Sequence, residues 1–599
     1  MAEVAAKHIA LKGGEFLIKD SKPEDIFIPE EINEEQMMIR DMVKDFLDTE
    51  ILPNMAKIEK QEDAIAPKLL EKMAELGLLG THMPEEYGGM QMSANTNTVI
   101  CDALGPAGAF TVTFAVQTGI GMLPFLYFGT EEQKAEYLPK LISGELKSAY
   151  CLTEPSSGSD ALSAKTRAGL SEDGSHYILN GQKMWISNSG FADVFVVFAQ
   201  IDGDKFTGLI VDKNSEGLTL GAEEDKLGIK GSSTRQVFFE NVKVPTNNVL
   251  GEIGKGHLIA FNVLNIGRYK LCVLSLGGAK ESVTTAIKYA NERIQFKVPI
   301  SKFGAIQYKL AEQTIRLFAG ESATYRVSNL LEEKKVELME KGASFGEAKL
   351  RAAEEYAIEC AMLKVIGSEV LDYIVDETLQ IHGGMGYSEE GTAARVYRDA
   401  RINRIYEGTN EINRLLTVDM LLKRAMKGAI DITGPAWAVQ KELASMPGFG
   451  RPEGDYAEEI KVVEDFKKAI LMVAGSAAKM QMDGQLNLKH EQEILMNVAD
   501  MMNDTFMAES TLLRVQKLAG MDKKIGQDVY DAILKTFLTD ATARIHKNAT
   551  DALVSFAEGD LLRTMLMGLK RFTKYTPTNV KAARRKIAGV LIEANEYCF

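Results

Sequence analysis

Several residue types and patterns are scarce in this chain, and each scarcity excludes a class of protein. Its 599 residues include only five cysteines, which are scattered and form no CxxC pair: Cys101, Cys151, Cys272, Cys360 and Cys598. This pattern argues against a disulfide framework and a zinc site, and it suits a reducing compartment. The seven histidines are isolated, so we expect no metal centre. No window reaches the roughly 18 uninterrupted apolar residues that a membrane-spanning helix requires.

Positive charge is also in short supply. The chain has 69 Lys and Arg against 84 Asp and Glu, a formal net charge of −15. Because binding to nucleic acid requires a surplus of basic residues, we expect no nucleic-acid partner. The first residues, MAEVAAKHIALKGGEFLI, resemble neither a secretory signal nor a mitochondrial transit peptide, since they lack a long apolar core and are poor in Arg and Ser. We therefore predict a cytoplasmic bacterial protein.

The pattern of apolar residues divides the chain into helical and β-rich regions. After an N-terminal extension (1–30), residues 31–149 have helical periodicity. Residues 150–255 contain short β-rich runs, such as ADVFVVFAQI and RQVFFENVKV, separated by turn residues. Helical periodicity then returns in 256–427 and 457–599. The predicted fold class is therefore mainly α with an inserted β domain, a small barrel or orthogonal sheets.

Two further predictions concern the second half of the chain. Residues 256–427 contain three long helical stretches, beginning GHLIAF, KFGAIQ and FGEAKL, and helices of this length packed side by side indicate a four-helix-type bundle. Residues 428–456 carry several prolines and glycines and are predicted to be a linker.

Three short stretches carry residue types suited to holding a ligand. YCLTEPSSGSD (150–160) is either a serine-rich turn or a place where backbone N–H groups approach a polar ring or phosphate. NGQKMWISNSG (180–190) carries Trp185, one of two tryptophans, which either packs in a β core or stacks on a flat cofactor. QIHGGMGY (380–387) has its glycines after a helix, whereas a dinucleotide fingerprint follows a strand. These glycines form a helix–helix turn or let the backbone approach a ligand.

A fourth stretch, RINRIYEGTNEINR (401–414), places Glu407 between an aromatic residue and a glycine. The flanking residues are apolar and basic, so the chain here runs close to packed structure. A glutamate on the surface would be ordinary, but one enclosed beside a substrate could remove a proton. Taken singly, each of the four stretches is weak evidence for function.

Taken together, in their order and spacing, these motifs resemble those of the acyl-CoA dehydrogenase family. The resemblance covers residues 31–427 and includes KLGIKGSSTRQVFFENVKVP and NERIQF. The NIGR and KFGAIQ segments and the long C-terminal extension are most similar to the very-long-chain branch. The resemblance implies an N-terminal helical domain, a central β-barrel and a four-helix bundle, which matches the predicted order, plus an additional C-terminal helical domain.

The family resemblance implies FAD bound between the β-barrel and the bundle. The residues that match flavin-lining positions are Tyr150, Thr153, Ser159, Trp185, Ile186 and Ser187. The residues that match other FAD contacts, several of them to the FAD of a neighbouring subunit, are Arg293, Gln295, Phe296, Gln380, Gly383, Gly384, Thr409 and Glu411. Some relatives carry Gln at the position of Glu411. Because the cofactor is shared, the resemblance implies a homo-oligomer, at least a dimer.

The resemblance also implies that Glu407 is the catalytic base. It would take a proton from the α carbon of a fatty acyl-CoA while a hydride passes from the β carbon to flavin N5, giving trans-2-enoyl-CoA. The positions that match substrate contacts are Ser159, Asn265, Arg268, Tyr406 and Gly408. Some branches of the family place the base on the helix that here carries Gly267, which cannot act as a base and would leave space for a long acyl chain. Arg268 could instead form a salt bridge within the bundle.

The implied partners are a long-chain acyl-CoA substrate and electron-transferring flavoprotein, in fatty acid β-oxidation. Two alternatives keep the fold: an acyl-CoA oxidase or enoyl-CoA reductase, and an assembly or scaffold protein. In the C-terminal extension, RTMLMGLKRF (563–572) and KAARRK (581–586) either make peripheral contact with anionic lipid or form the solvated faces of packed helices.

Overall fold

The computed structural model describes residues 10–443, 445 and 453–599. Helical, β, helical and helical regions follow one another, as predicted. The first region contains seven helices: α1 (Glu34–Phe46), α2 (Met55–Glu59), α3 (Ile65–Glu75), α4 (Ala94–Leu104), α5 (Phe110–Ala115), α6 (Leu123–Phe128) and α7 (Glu131–Ile142). Asn33 begins α1 with a capping box, in which its side chain and that of Gln36 each accept the other's backbone N–H. A π-helical turn, Val116–Ile120, follows α5.

The β domain is one continuously hydrogen-bonded sheet with the order β6-β7-β3-β2-β4-β5-β8, and β1 pairs in parallel with β4. The strands are β1 (Ser148–Cys151), β2 (Arg167–Leu170), β3 (His176–Ser187), β4 (Val194–Ile201), β5 (Lys205–Asp212), β6 (Leu218–Glu223), β7 (Thr234–Pro245) and β8 (Val249–Leu250). Every residue of β4 is buried, as its uninterrupted apolar run predicts. The long strand β3 pairs with β7 through two register shifts, the second between Lys183 and Ile186.

The third region is the predicted helical bundle. Its elements are α8 (Gly256–Glu292), a short hairpin of β9 (Ile294–Gln295) and β10 (Val298–Pro299), α9 (Gly304–Glu340), α10 (Phe345–Glu355), α11 (Ala357–His382), α12 (Gly384–Tyr387), α13 (Thr392–Ala400) and α14 (Asn410–Met426). The sequence predicted a single helix where α10 and α11 now lie. The chain breaks at Tyr356, whose hydroxyl donates to the carbonyl oxygen of Leu11.

The last region is the predicted additional helical domain. Its helices are α15 (Thr433–Leu443), α16 (Ala457–Met482), α17 (Gln492–Ala519), α18 (Gln527–Phe556), α19 (Gly559–Phe572) and α20 (Val580–Ala594). The segment predicted to be a linker therefore contains a helix, α15. Pro435 lies in its first turn, where a helix tolerates proline because the N–H groups there have no intrahelical acceptor. Residues 444 and 446–452 of the predicted linker lie outside the described residues.

The N-terminal segment 10–31 is packed between the bundle and the C-terminal domain. Phe16, Leu17, Ile26 and Ile28 are buried in the core shared by these two regions. Arg514 of α17 is fully buried, and its guanidinium contacts the carboxylates of Glu30 in this segment, at 2.7 Å, and of Glu321 in α9, at 2.6 Å. The segment predicted only as an extension is thus a structural part of the fold.

Two helical stretches among the described residues have the length and composition of a membrane span: Phe110–Phe128 and Gly256–Glu292. Most of each lies inside the protein, with 78% and 67% of their most apolar windows buried. Burial of this kind is typical of the core helices of a folded domain, so the two stretches are weak evidence for a membrane span.

Candidate active site

A large cavity lies between the N-terminal helical domain, the β domain and the bundle. Its volume is about 2120 Å³, roughly twice the upper end of the ~300–1,000 Å³ usual for a small-molecule site, so two ligands can lie side by side. The predicted site residues that line it are Tyr150, Thr153, Ser159, Trp185, Ile186, Ser187, Asn265, Arg268, Tyr406, Glu407, Gly408 and Thr409. Residues from three separate regions of the sequence therefore meet at one site.

Glu407 lies in the loop between α13 and α14, in a strained turn. Its φ angle is +58° and that of Gly408 is +79°, both in the left-handed region, so neighbouring groups must hold the turn in place. Asn413 does so from α14, where its side-chain amide donates to the carbonyl oxygens of Glu407 at 3.3 Å, Gly408 at 2.8 Å and Thr409 at 3.0 Å. From α8, Arg268 Nε donates to the Glu407 carbonyl oxygen at 3.2 Å.

The carboxyl end of Glu407 is enclosed and has no direct ionic partner. Its Oε2 atom is buried without a hydrogen bond, and in the described part of the chain no basic nitrogen lies within 4.0 Å of the carboxylate. Burial raises the pKa of Glu407 to about 7, and the positive charges of Arg268 and Lys364 oppose this rise. A carboxylate in this state is a stronger base than a solvated one.

The structure corrects the interpretation of Gly267. The sequence suggested that this glycine leaves space for a long acyl chain, but the space beside it is taken by the Glu407 carboxyl group. A Cβ atom placed on Gly267 would lie 2.6 Å from Oε2 of Glu407. The glycine therefore makes room for the carboxylate.

Arg268 does not form the salt bridge within the bundle that was considered as an alternative. It is 5% exposed, and among the described residues no carboxylate oxygen lies within 4.0 Å of its guanidinium. Its Nη1 instead donates to Asn265 Oδ1 at 2.9 Å, and Asn265 donates in turn to the carbonyl oxygen of Ala353. The guanidinium is thus held at the cavity wall beside Glu407.

On the β-domain side, Trp185 is not a core residue. It is 60% exposed and has a φ of +57°, at the second register shift of β3, and a bulge of this kind turns a side chain out of the strand's alternation. Ile186 beside it is buried, and the hydroxyl residues Thr153, Ser159 and Ser187 line the same wall. An exposed indole face beside several hydroxyl groups fits a planar ring system with polar edges, such as the isoalloxazine of FAD.

A second group of predicted residues lies away from the cavity, at one end of the bundle. Arg293, Gln295 and Phe296 follow the end of α8, and Gln380, Gly383 and Gly384 lie at the end of α11; all are exposed. The two helix ends are joined by Tyr289 and His382, whose rings stack with centroids 4.2 Å apart. Phe296 is 88% exposed with a φ of +52°. The chain alone therefore does not bring this group to the site, as expected if it contacts the FAD of another subunit.

Three predicted residues near Glu407 differ in their positions and contacts. Thr409 caps α14, accepting the Ile412 N–H at 3.2 Å. Glu411 is exposed and does not line the cavity, so its predicted FAD contact is not formed within the chain. Tyr406 lines the cavity and donates its hydroxyl proton to Asn403 at 2.8 Å.

Sequence reasoning missed the residues that hold the loop of Glu407. Asn413 and Asn410 lie within the 401–414 motif, but their side chains received no role. Lys364 of α11 was also missed, although a lysine in the apolar run CAMLKVIG is a visible signal. Its ammonium donates to Asn410 Oδ1 at 2.7 Å.

Comparison with known families gives the class of protein to which this fold and site belong. Models of the acyl-CoA dehydrogenase N-terminal domain, middle domain and C-terminal domain match residues 33–145, 149–242 and 254–422. A further model, also described as an acyl-CoA dehydrogenase C-terminal domain, matches residues 465–571. The chain belongs to the acyl-CoA dehydrogenase family.

Some family members are similar over the whole length, including the additional helical domain. A probable acyl-CoA dehydrogenase of Bacillus subtilis is 45% identical over 98% of both chains. A crystal structure of an acyl-CoA dehydrogenase complexed with FAD from Bacillus anthracis is 45% identical, covers 98% of this chain and 100% of that one, and has a TM-score of 0.95. The human mitochondrial very long-chain specific enzyme is 39% identical over 60% of this chain and 52% of its own length.

These findings confirm the predicted fold, enzyme class and cofactor. The protein is an FAD-dependent oxidoreductase of the acyl-CoA dehydrogenase type, with an acyl-CoA substrate. The similarity to the mammalian very long-chain enzymes covers little more than half of their length.

Proposed function

We propose that Glu407 is the catalytic base, and that the enzyme converts a long-chain fatty acyl-CoA to the trans-2-enoyl-CoA. One observation carries this proposal: a carboxyl group on the cavity wall is enclosed, lacks an ionic partner and has a pKa raised to about 7 by burial. An α C–H of a thioester is a poor acid, so its removal requires a desolvated base of this kind.

The residues of the chain supply proton transfer and positioning. The Glu407 carboxylate takes the α proton and becomes a neutral acid, and a carbon–carbon double bond forms as the β carbon loses a hydride. Bound FAD would accept that hydride, which is chemistry the cofactor supplies. Within the described residues the Glu407 N–H makes no hydrogen bond, so it can donate to the thioester carbonyl as negative charge develops there.

The proposal of a long acyl chain rests on the walls of the cavity. Val112 of α5 and Val116 of the following turn face it from the N-terminal domain, and Leu271 and Leu274 face it from α8. An apolar wall suits a long alkyl chain, because burying each CH₂ group contributes about 0.8 kcal/mol. Activity with acyl-CoAs of graded length measures the preference, and a maximum at four carbons would contradict it.

The base is tested by Glu407→Gln. We expect the variant to bind FAD and to lose turnover by about 10²- to 10⁴-fold, since the amide cannot accept the proton. The measurement is anaerobic bleaching of the flavin by palmitoyl-CoA in a stopped-flow instrument. Glu390→Gln is the matched control, because Glu390 is an exposed glutamate on the rim of the same cavity. Unchanged bleaching in Glu407→Gln would show that another group is the base.

We also propose electron-transferring flavoprotein as the acceptor and fatty acid β-oxidation as the pathway; membership in the family supports both. The alternatives are separated by the fate of the reduced enzyme. Rapid reoxidation by air would identify an oxidase, and net reduction of an enoyl-CoA by a physiological donor would identify a reductase. A protein that binds FAD but bleaches with no acyl-CoA of any length would support the scaffold alternative. The cytoplasmic location of the enzyme stays a prediction.

We further propose that the enzyme is a homodimer. The exposed arm that follows α8 and the glycines that follow α11 support this, because residues that match FAD contacts lie outside the cavity of their own chain. Phe296→Ala is expected to lower both FAD content and the mass measured by light scattering. A wild-type protein that is monomeric and fully loaded with FAD would contradict the proposal.

The two basic clusters considered for peripheral membrane contact differ in the structure. In KAARRK, Arg584 pairs with Glu312 and Asp540, and Lys586 pairs with Asp528, so these cations are engaged within the protein. On α19, Arg563 and Arg571 are also paired, with Asp560 and Glu442, but Leu561 is 52% exposed and Met567 is 68% exposed. We therefore propose α19 alone as the lipid contact, to be tested by sedimentation with anionic vesicles. A Leu561→Glu/Met567→Glu variant that still sediments would contradict it.

A further inference from the structure

Lys364 of α11 is an unusual residue for its surroundings. Its side chain is fully buried, yet in the described part of the chain no carboxylate oxygen lies within 4.0 Å of its ammonium group. Its hydrogen bond goes to a neutral group, Asn410 Oδ1, at 2.7 Å. Burying an unpaired ammonium ion is costly, so a lysine at this position requires a compensating charge or a reason to be there.

The hydrogen bond of Lys364 connects it to Asn410, next to the loop that carries Glu407. Asn410 is the first residue of α14 and follows Glu407 by three positions. Its Oδ1 accepts from Lys364 and from Ser368, and its Nδ2 donates to Glu369 at 3.0 Å. Because Asn410 is anchored to α11 in this way, the strained turn that precedes it is fixed at its C-terminal side.

The charged and titratable groups around the base come from four elements. Arg268 faces it from α8, Lys364 from α11, Tyr150 from β1 and Tyr406 from its own loop. Among the charges that act on Lys364, that of Glu407 has the largest effect and that of Arg268 the next largest. The carboxylates of Glu411 and Glu369 have weaker effects. Glu369 is already paired with Arg414 at 2.8 Å. Glu407 is therefore the negative charge that can balance Lys364.

We propose that Lys364 is a positioning residue for the base: its buried ammonium keeps the Glu407 carboxylate ionised, and its bond to Asn410 holds the loop that carries it. The proposal rests on the role of Glu407 proposed above. Lys364 therefore has two separable effects. Its charge acts on the pH at which Glu407 ionises, and its hydrogen bond acts on the position of the loop that carries Glu407.

The direction of the electrostatic effect follows from the charges. Burial raises the pKa of Glu407 to about 7 and lowers the pKa of Lys364 to about 7, and each group favours the charged form of the other. Removing the positive charge of Lys364 takes away one of the two effects that oppose the rise at Glu407. The base then ionises only at a higher pH.

The test is the pH dependence of kcat/KM for FAD-loaded enzyme with palmitoyl-CoA, for wild type, Lys364→Met and Lys364→Gln. Methionine removes both the charge and the hydrogen bond, whereas glutamine removes the charge and keeps an N–H donor for Asn410. We expect the midpoint of the rise to move up by about one pH unit in both variants. Ser368→Ala is the matched control, since it removes a neutral hydrogen-bond partner of Asn410 and leaves the midpoint where it is.

Three outcomes would count against this proposal or its basis. A midpoint that does not move in either Lys364 variant, while Glu407→Gln is inactive, overturns the role of Lys364 and leaves the base intact. A midpoint that moves equally in Ser368→Ala shows that loop placement, not charge, sets it. An active Glu407→Gln enzyme removes the proposed function itself.

A second measurement applies if Lys364→Met assembles poorly. Its change in thermal stability is compared in the wild-type and Glu407→Gln backgrounds at pH 7, where both groups carry charge. We expect Lys364→Met to destabilise the protein less, or to stabilise it, in the Glu407→Gln background. In that background Lys364 lacks its compensating negative charge, so replacing it removes a less favourable group. An equal change in both backgrounds would overturn the electrostatic link between the two residues.

Discussion

A Cβ atom placed on Gly267 would lie 2.6 Å from Oε2 of Glu407 and 3.0 Å from its Cδ atom. Gly267→Ala should therefore displace the carboxyl group from its position. We expect kcat to fall by about 10- to 100-fold, because a shift of about 1 Å at a reacting group has an effect of this size. The measurement is flavin bleaching by palmitoyl-CoA at a known FAD content.

The control for that substitution is Gly589→Ala. Gly589 lies within α20, and no heavy atom would contact an added Cβ within 4 Å. Alanine in a helix is favoured over glycine by about 0.5–1 kcal/mol, so this variant should keep its activity and melt slightly higher. If Gly267→Ala retained full activity, the carboxyl group would have to act from a different position.

The raised pKa of Glu407 also predicts how stability changes with pH. Since folding raises this pKa from 4.5 to about 7, the folded protein holds the proton more tightly than the unfolded chain does. The contribution to the free energy of unfolding is complete below pH 4.5 and is lost as the pH rises through about 7. Glu407→Gln lacks this loss, so its melting temperature should exceed that of wild type at pH 8 by more than at pH 5. A difference between the two proteins that is the same at both pH values would contradict the shift.

The two tryptophans of the chain allow a spectroscopic test of the flavin wall. Trp185 is 60% exposed at the cavity, whereas Trp437 is 53% exposed on α15. Adding FAD to flavin-free Trp437→Phe protein should quench nearly all of the remaining fluorescence, and Trp185→Phe protein should show much weaker quenching. Equal quenching in the two variants would place the ring elsewhere.

The ion pairs of Arg514 predict a large loss of stability on its substitution. Arg514→Met leaves Glu30 and Glu321 without their shared partner in a buried site, and breaking such a pair costs about 3–5 kcal/mol. Arg563→Met is the control, because the side chains of Arg563 and Asp560 are 76% and 93% exposed, and a surface pair contributes about 0–1 kcal/mol. Thermal unfolding of the two variants measures the difference, and similar melting temperatures would contradict the prediction.

The domain order and the position of Glu407 on the cavity wall could be predicted from the sequence. The long helices α8 and α9 follow from their periodicity, and Glu407 from a motif whose residues are adjacent in the chain. These features depend on local sequence patterns, which a single chain displays directly.

Other features depend on contacts between distant residues and could not be predicted. The outward turn of Trp185 depends on how β3 pairs with β7, and the role of Gly267 depends on a carboxyl group 140 positions away in the sequence. The split at Tyr356 depends on the N-terminal segment, whose glycine N–H groups bond to Glu355 and Glu359 on either side of the break. Such contacts leave no periodic signal.

The place of the N-terminal segment also bears on how the protein is made. Glu30 precedes its partner Arg514 by 484 residues, so at about 5–20 residues per second a ribosome needs roughly 25–100 s to bring the two within reach. Until then the bundle and the early domains can fold, but Glu30 lacks its arginine partner. The contact between the catalytic domains and the last domain therefore forms late in biosynthesis, and a chain truncated before α17 would not form it.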